Sequence, residues 1–155
     1  MRALAYDDKL KTRAGDSIHL TILYKRGNAR SERMASIMAK AFGALVSSQV
    51  AGLPIVVSRL AYAGGEALTR SIVASGIDML YACEGLDSEI PAIAEVAHQR
   101  KVLTVASSAE QVHKGLSIGV FQVDSRTTIL LNLKASRLEG VAFAADLLRL
   151  ATVIR

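Results

Sequence analysis

The sequence predicts an α/β domain: a mostly parallel sheet flanked by helices on both faces, followed by a C-terminal antiparallel hairpin and a closing helix. Three observations carry this. Short β-branched apolar runs alternate with stretches of helical periodicity from Ile18 to Ala106. The pattern then changes to two apolar runs separated by a tight turn. The chain has 155 residues, 51% of them hydrophobic and 21% charged, which suits one domain with a real core and lies far from the disordered class. Aromatics make up 5% and Trp is missing, so Ala, Val, Ile, Leu and Met must build that core.

Residues 1–16 read as a polar N-terminal segment ending in Ala14-Gly15-Asp16, and residues 17–155 as a single domain. The first strand is expected at Ile18–Tyr24, β-branched and bounded by polar residues. After the loop Lys25-Arg26-Gly27-Asn28, Ser31 can cap a helix with Met34, Met38, Ala41, Phe42 and Leu45 on one face. A second strand spans about Pro54–Arg59. Ala63-Gly64-Gly65-Glu66 turns into a helix with Leu68, Ile72 and Val73 inward, ended by Gly76 as a left-handed cap. Ile77–Ala82 is the third strand. Ser88 to Arg100 is a helix with Pro91 in its first turn, where proline is tolerated. Lys101–Ala106 is the fourth strand, and Ser107-Ser108 cap the helix after it. Leu116–Val123 and Thr127–Leu133 flank Asp124-Ser125-Arg126 and predict a hairpin on the sheet edge. A helix from about Ala142 to Ile154 closes the chain, carrying Phe143, Leu147, Leu148, Leu150 and Ala151.

Charge and cysteine content narrow the function classes. The net charge is +5, but the basic residues are dispersed and no stretch interleaves them with aromatics, so nucleic acid is not an expected partner. Cys83 is the single cysteine; it cannot close an internal disulfide and has no zinc-ligand spacing around it. His19, His98 and His113 form no i, i+4 pair, so neither a metal nor a cofactor is expected. His19 reads as a strand residue, and His98 and His113 as helix-end residues favoured by the dipole. Every apolar run falls short of a membrane span. The first residues turn polar before an apolar signal region could form, so no signal peptide is expected within this chain. A leader trimmed before residue 1 stays open, and so does a cytoplasmic location.

The candidate site is a crevice. Tyr24, Lys25, Tyr62, Gly64, Gly65, Cys83, Glu84, Ser107 and Ser108 all lie just past the C-terminal end of an expected strand. In an open parallel sheet those loops share one edge, where ligands normally bind. Each residue also has an ordinary reading: Gly64-Gly65 as tight-turn glycines, the serines as caps, Cys83 as a small buried hydrophobe. No acid–base pair converges there, so no catalytic residue is expected.

The C-terminal half carries an ordered set of motifs: Val102-Leu103-Thr104-Val105, Gly115-Leu116-Ser117-Ile118, Leu131-Asn132-Leu133, Ala135-Ser136-Arg137-Leu138-Glu139-Gly140 and Leu147-Leu148-Arg149-Leu150-Ala151. Ile77-Asp78-Met79-Leu80-Tyr81 adds a strand upstream. In this order and spacing the set resembles the YfiR-like family. Two positions depart from the family pattern: Lys114 stands in place of the first glycine of a pair, and Lys101 in place of a proline. The resemblance implies structural roles for Gly115, Asn132, Arg137, Gly140, Leu147, Leu148 and Arg149. It also implies a non-enzymatic regulatory or sensory domain that acts by protein–protein contact. The family's best-known members are exported to the periplasm, where they repress a membrane-bound diguanylate cyclase and so lower cyclic-di-GMP and biofilm formation. The expected partner is thus a protein, such as a membrane-bound diguanylate cyclase or a sensor kinase, and a homodimer is expected. The alternative is a single-lobe small-ligand-binding module with its ligand at the strand C-termini. A third reading, an enzyme built around Cys83 and Ser107, needs a nucleophile–base pair that the sequence does not display.

Overall fold

The computed structural model describes residue 12, residues 14–44 and residues 52–155. Of the segment expected over residues 1–16, all but Thr12 and Ala14–Asp16 lies outside the described residues, as does Leu45. The elements run β1 (Ile18–Tyr24), α1 (Ala29–Gly43), β2 (Ile55–Ala61), α2 (Gly65–Ser75), β3 (Met79–Ala82), α3 (Ile90–Arg100), β4 (Leu103–Ala106), α4 (Ala109–His113), β5 (Ile118–Val123), β6 (Arg126–Asn132), α5 (Leu133–Leu138), α6 (Ala145–Leu150) and β7 (Thr152–Ile154). The strand order is β2-β1-β3-β4-β5-β6-β7. Strands β1 to β5 are mutually parallel, β5 and β6 are antiparallel, and β7 runs parallel to β6.

Strand alternation sorts the core into two layers. On one face Leu23, Leu80, Ala82 and Leu130 pack with Leu68 and Ile72 of α2, Ile90, Ile93 and Ala97 of α3 and Val112 of α4. On the other, Ile18, Leu20, Ile22, Met79, Tyr81 and Leu131 pack with Ala35, Met34, Met38 and Phe42 of α1 and Leu147 of α6. Helices therefore cover both faces. Leu20, Leu23, Leu80 and Leu103 are all but fully buried, as central strands of a doubly covered sheet require.

Several expectations are corrected. The N-cap of α1 is Asn28, whose Oδ1 accepts from the Ser31 amide at 3.1 Å; Ser31 is buried and its Oγ accepts from the Lys25 amide at 2.9 Å. Ala35, not Ala41, is buried on that helix. Val73 is 66% exposed, because it sits a further ~100° round α2 from Ile72. Lys101 is not a strand residue: with φ at 59° it is the left-handed C-cap of α3.

The C-terminal part differs most. The hairpin turns on Asp124 and Ser125, both at positive φ, the geometry of a two-residue turn whose twist matches the strands. It is not the sheet edge, because β7 adds outside β6. The closing helix is short. Ala144 and Ala151 are extended on either side of it, and the β-branched Thr152-Val153-Ile154 run pairs with Leu130, Leu131 and Asn132. The expected turn at 135–140 contains α5, capped by Asn132: its Oδ1 accepts from the Ala135 amide at 3.0 Å, and its Nδ2 donates to the Val112 carbonyl at 3.2 Å.

Candidate functional site

Loops after β1, β3 and β4 meet at the C-terminal edge of the parallel strands, the usual place for a ligand crevice. They enclose an opening of about 390 Å³ lined by Asn28, Arg30, Glu84, Gly85, Asp87, Ser108 and Glu110. Gly85 is required there: its φ is +87°, and a Cβ would come within 2.8 Å of the Asn28 Nδ2. Asn28 thus caps α1 and also seats the β3 loop. Lys25 Nζ reaches Glu89 Oε1 at 2.8 Å and ties the first loop to the start of α3. That hydrogen bond is the largest cause holding the Glu89 carboxyl below its ordinary pKa.

Gln111 organises the other side. It is wholly buried on α4. Its Nε2 donates to the Cys83 carbonyl at 3.2 Å, and its Oε1 accepts from the Ser107 amide at 2.9 Å and from Ser107 Oγ at 3.2 Å. Ser108 Oγ accepts from the Gln111 amide at 3.3 Å. One amide side chain therefore fixes the loops after β3 and β4 to each other.

Two of the nine expected crevice residues, Glu84 and Ser108, line the opening. Tyr24 packs against the α1-side core, and Lys25 is held by Glu89. Tyr62 lines a separate small cavity of about 80 Å³ with Leu60 and Leu68; burial, then Glu89, raises its phenol pKa. Gly64 is the N-cap of α2, at φ 99°, and Gly65 lines a depression shared by α2 and α3. Cys83 is fully buried; burial, with Glu84 beside it, pushes its thiol pKa up to about 12. It is protonated at neutral pH and unsuited to nucleophilic attack. Asn28, Asp87, Glu110 and Gln111 were missed as site residues by sequence reasoning, although the helix starting at Ser107-Ser108 places Glu110 and Gln111 in its first turn.

The mouth holds three carboxylates against one guanidinium. Arg30 Nε lies 3.6 Å from Glu84 Oε2, and Lys114 Nζ lies 2.7 Å from Glu110 Oε1. The Lys114 ammonium lowers the Glu110 pKa, by hydrogen bond first and charge second. Among the described residues no group of three or more His, Cys, Asp or Glu could hold a metal ion. The chemistry offered is polar recognition: carboxylate acceptors, one guanidinium and a fixed loop frame.

A second polar centre lies at the opposite edge, where β5 enters at Ser117 and β6 leaves at Asn132, whose amide donates to the Ser117 carbonyl at 2.8 Å. Glu139, just after α5, is 0% exposed there. It accepts from the Thr104 amide at 2.9 Å, from Thr104 Oγ1 at 2.6 Å and from Ser117 Oγ. Thr104 Oγ1 in turn accepts from the Ser117 amide at 2.8 Å. One buried carboxylate thus joins β4, the start of β5 and the end of α5. Gly115 and Gly140 flank this region at φ +121° and +75°; Leu147 is buried in the core on the α1 side of the sheet, while Arg137 and Arg149 are exposed.

The sequence pattern of the YfiR/HmsC-like family matches residues 12–152. The chain belongs to that family. Members of the YfiR/HmsC-like family are regulatory proteins rather than enzymes. No curated protein matches the chain. Among solved structures it is similar to a conserved domain protein from Vibrio cholerae, at 14% identity and a TM-score of 0.64, covering 94% of this chain and 57% of that one. It is also similar to the ligand-free, open structure of a substrate binding protein with adhesive properties from Clostridium difficile, at 14% identity and 0.64, covering 96% and 58%. A third is an ABC domain in complex with L-Trp from Streptococcus pneumonia, at 14% identity and 0.65, covering 98% and 60%. The chain spans 57–60% of the length of these three proteins, and the likeness is one of fold. No helix among the described residues is long and apolar enough to cross a membrane.

Proposed function

We propose that this YfiR/HmsC-like domain is a non-enzymatic regulator that acts by protein–protein contact, in the periplasm, on a membrane-bound diguanylate cyclase, and that it works as a homodimer. The observation that carries the reading is the family match over residues 12–152. The site supports it from the chemical side. The thiol at the crevice is buried and protonated, and the two serines of the β4 loop are engaged with Gln111.

The test is direct binding of the purified chain to the periplasmic sensor segment of a membrane-bound diguanylate cyclase encoded beside it, with cyclic-di-GMP measured in cells with and without the domain. Saturable binding and a rise in cyclic-di-GMP on deletion are expected. No binding at ~100 µM would sink the cyclase reading, since specific interfaces hold well below that concentration. Cys83→Ala should leave this binding unchanged. Turnover of any substrate that depends on Cys83 or Ser107 would overturn the non-enzymatic reading.

A second reading is that of a small-ligand module. The crevice favours it, as does the fold likeness to a substrate binding protein and to a domain in complex with L-Trp. A melting-temperature screen against free amino acids separates the two: a dose-dependent rise lost in Glu84→Ala would favour ligand sensing.

A further inference from the structure

The edge strand β7 and α5 form a surface that the crevice reading leaves unused. Strand β7 pairs with β6 on one side only, and among the described residues nothing pairs with its outer side. Beside it lies an opening of about 430 Å³ lined by Leu133, Lys134, Arg137, Leu138 and Arg155. Three of these five side chains are cations and none is an acid. No ion pair is found for any of the three among the described residues, in contrast with Lys25, Arg30, Lys114 and Arg149, each of which has a carboxylate within 4.0 Å. The two leucines supply an apolar floor, with Leu138 42% exposed.

The spacing explains how the pieces come together. Lys134 and Arg137 are three apart on α5 and Lys134 and Leu138 four apart, so they share one helix face. Asn132, the residue before α5, pairs in register with Ile154, the residue before Arg155. The end of β7 and the start of α5 are therefore side by side, and the free strand edge runs into the cationic opening.

We propose that the β7 edge and this opening form one docking surface for an extended acidic peptide segment of a protein partner. The proposal deepens the protein-contact reading above and rests on it. Strand addition supplies main-chain hydrogen bonds to Thr152–Ile154 and leaves alternate side chains on one face. The alternate side chains on the face toward the opening carry the carboxylates that meet Lys134, Arg137 and Arg155, with their methylenes over Leu133 and Leu138, and the residues between them point to the other face of the sheet. A neutral or basic strand fits the edge but brings no carboxylate to Lys134, Arg137 or Arg155. Since these cations are exposed, their pairing selects the partner and weakens with salt, while the strand bonds fix its direction.

The probe is a capped synthetic octapeptide of alternating Glu and Val, titrated into the isotopically labelled full chain and followed by amide chemical shifts. Controls carry Lys for Glu, or methyl groups on alternate backbone nitrogens. The expected result is saturable shifts centred on residues 133–138 and 152–155. Lys134→Glu with Arg137→Glu should weaken them about tenfold. The lysine peptide and the N-methylated peptide should fail to bind. Both substituted positions are exposed, and the dispersion of the variant's amide spectrum checks its fold. No saturable shift at millimolar peptide overturns the proposal. So does unchanged binding to the charge-reversed variant, equal binding of the N-methylated peptide, or residue-133–138 shifts produced by phosphatidylglycerol vesicles and not by the peptide. If a cyclase sensor segment binds and the double variant binds it equally well, this surface is wrong and the regulatory reading stands. If the peptide binds here and no cyclase segment does, the surface stands and the cyclase is the wrong partner.

Discussion

The two edges of the sheet carry charge in opposite ways. At the C-terminal edge of the parallel strands, the carboxylates of the crevice face water and pair with long exposed cations such as Arg30 and Lys114. At the other edge, Glu139 is sealed from water and accepts from an amide and two hydroxyls. Exposed pairs are worth little, since water screens them and ordering two long side chains costs entropy. A buried carboxylate is another matter: taking away its acceptors leaves buried donors with nothing to bond. The crevice can change its charges cheaply, and the opposite edge cannot. Tolerance of charge changes belongs at the first edge, and the buried scaffold that holds α5 and β7, with the exposed surface they carry, belongs at the second.

The sharpest way to break this contrast is to remove one acid from each edge. Glu139→Ala strands the Thr104 amide and two hydroxyls in the core and should cost about 3–5 kcal/mol. Glu84→Ala, with its partner Arg30 largely in water, should stay within about 0.5 kcal/mol. Urea unfolding of both variants checks this. Equal losses would show that Glu139 is not the node it looks to be by geometry.

The helix caps sharpen the comparison at smaller scale. Asn132→Ala removes the cap of α5 and the bond to the Val112 carbonyl, and should cost ~1–2 kcal/mol. A melting curve that superimposes on the parent's would show that α5 is held by packing and the Glu139 bonds alone.

The same contrast governs what could be read from the sequence. The β1–β4 half was legible because its signals are local: β-branched runs, cap residues and an alternation that fits one topology. The crevice edge followed from the topology rule, but the residues that line it did not. Which side chain reaches the opening depends on loop contacts such as Asn28 on Gly85 and Gln111 on Cys83, across 28 residues in the second case. The other edge was hidden more deeply. Glu139 sits between Leu138 and Gly140 in a stretch that reads as a solvated turn, and its partners are 35 and 22 residues upstream. Thr152–Ile154 continue the apolar stripe of the preceding helix, so their switch to a strand is decided by the free edge of β6 rather than by their own pattern. The helical stripe masked the β-branched propensity of these three residues, which pairing with β6 realises.

The smallest expected effect is a pH dependence. His98, in the last turn of α3, lies close to the Glu139 edge: its Nε2 is buried without a hydrogen-bond partner and is 3.9 Å from Glu139 Oε1. Two influences oppose each other. Burial, the largest, lowers the imidazole pKa from its ordinary 6.5, and the Lys101 charge adds to it; a hydrogen bond with the Gly115 backbone pulls the other way. The carboxylate of Glu139 would favour a proton on His98, but at 3.9 Å it is beyond hydrogen-bond reach and already holds three donors. Burial should win. Above pH ~6.5 His98 is neutral in both folded and unfolded chains and contributes nothing to the pH dependence. As the pH falls through ~6.5, the unfolded chain takes up a proton that the folded chain resists, so stability falls. Glu89 and Glu110, whose pKa values are lowered from 4.5, lose their contributions only at still lower pH and leave this window clear. Urea midpoints between about pH 7.5 and about pH 5.5 should therefore drop further for the parent than for His98→Gln. If the two fall together, His98 does not titrate in this window. If the parent instead gains stability on acidification, the pull of Glu139 outweighs burial, and the buried node is a proton sensor rather than a fixed scaffold.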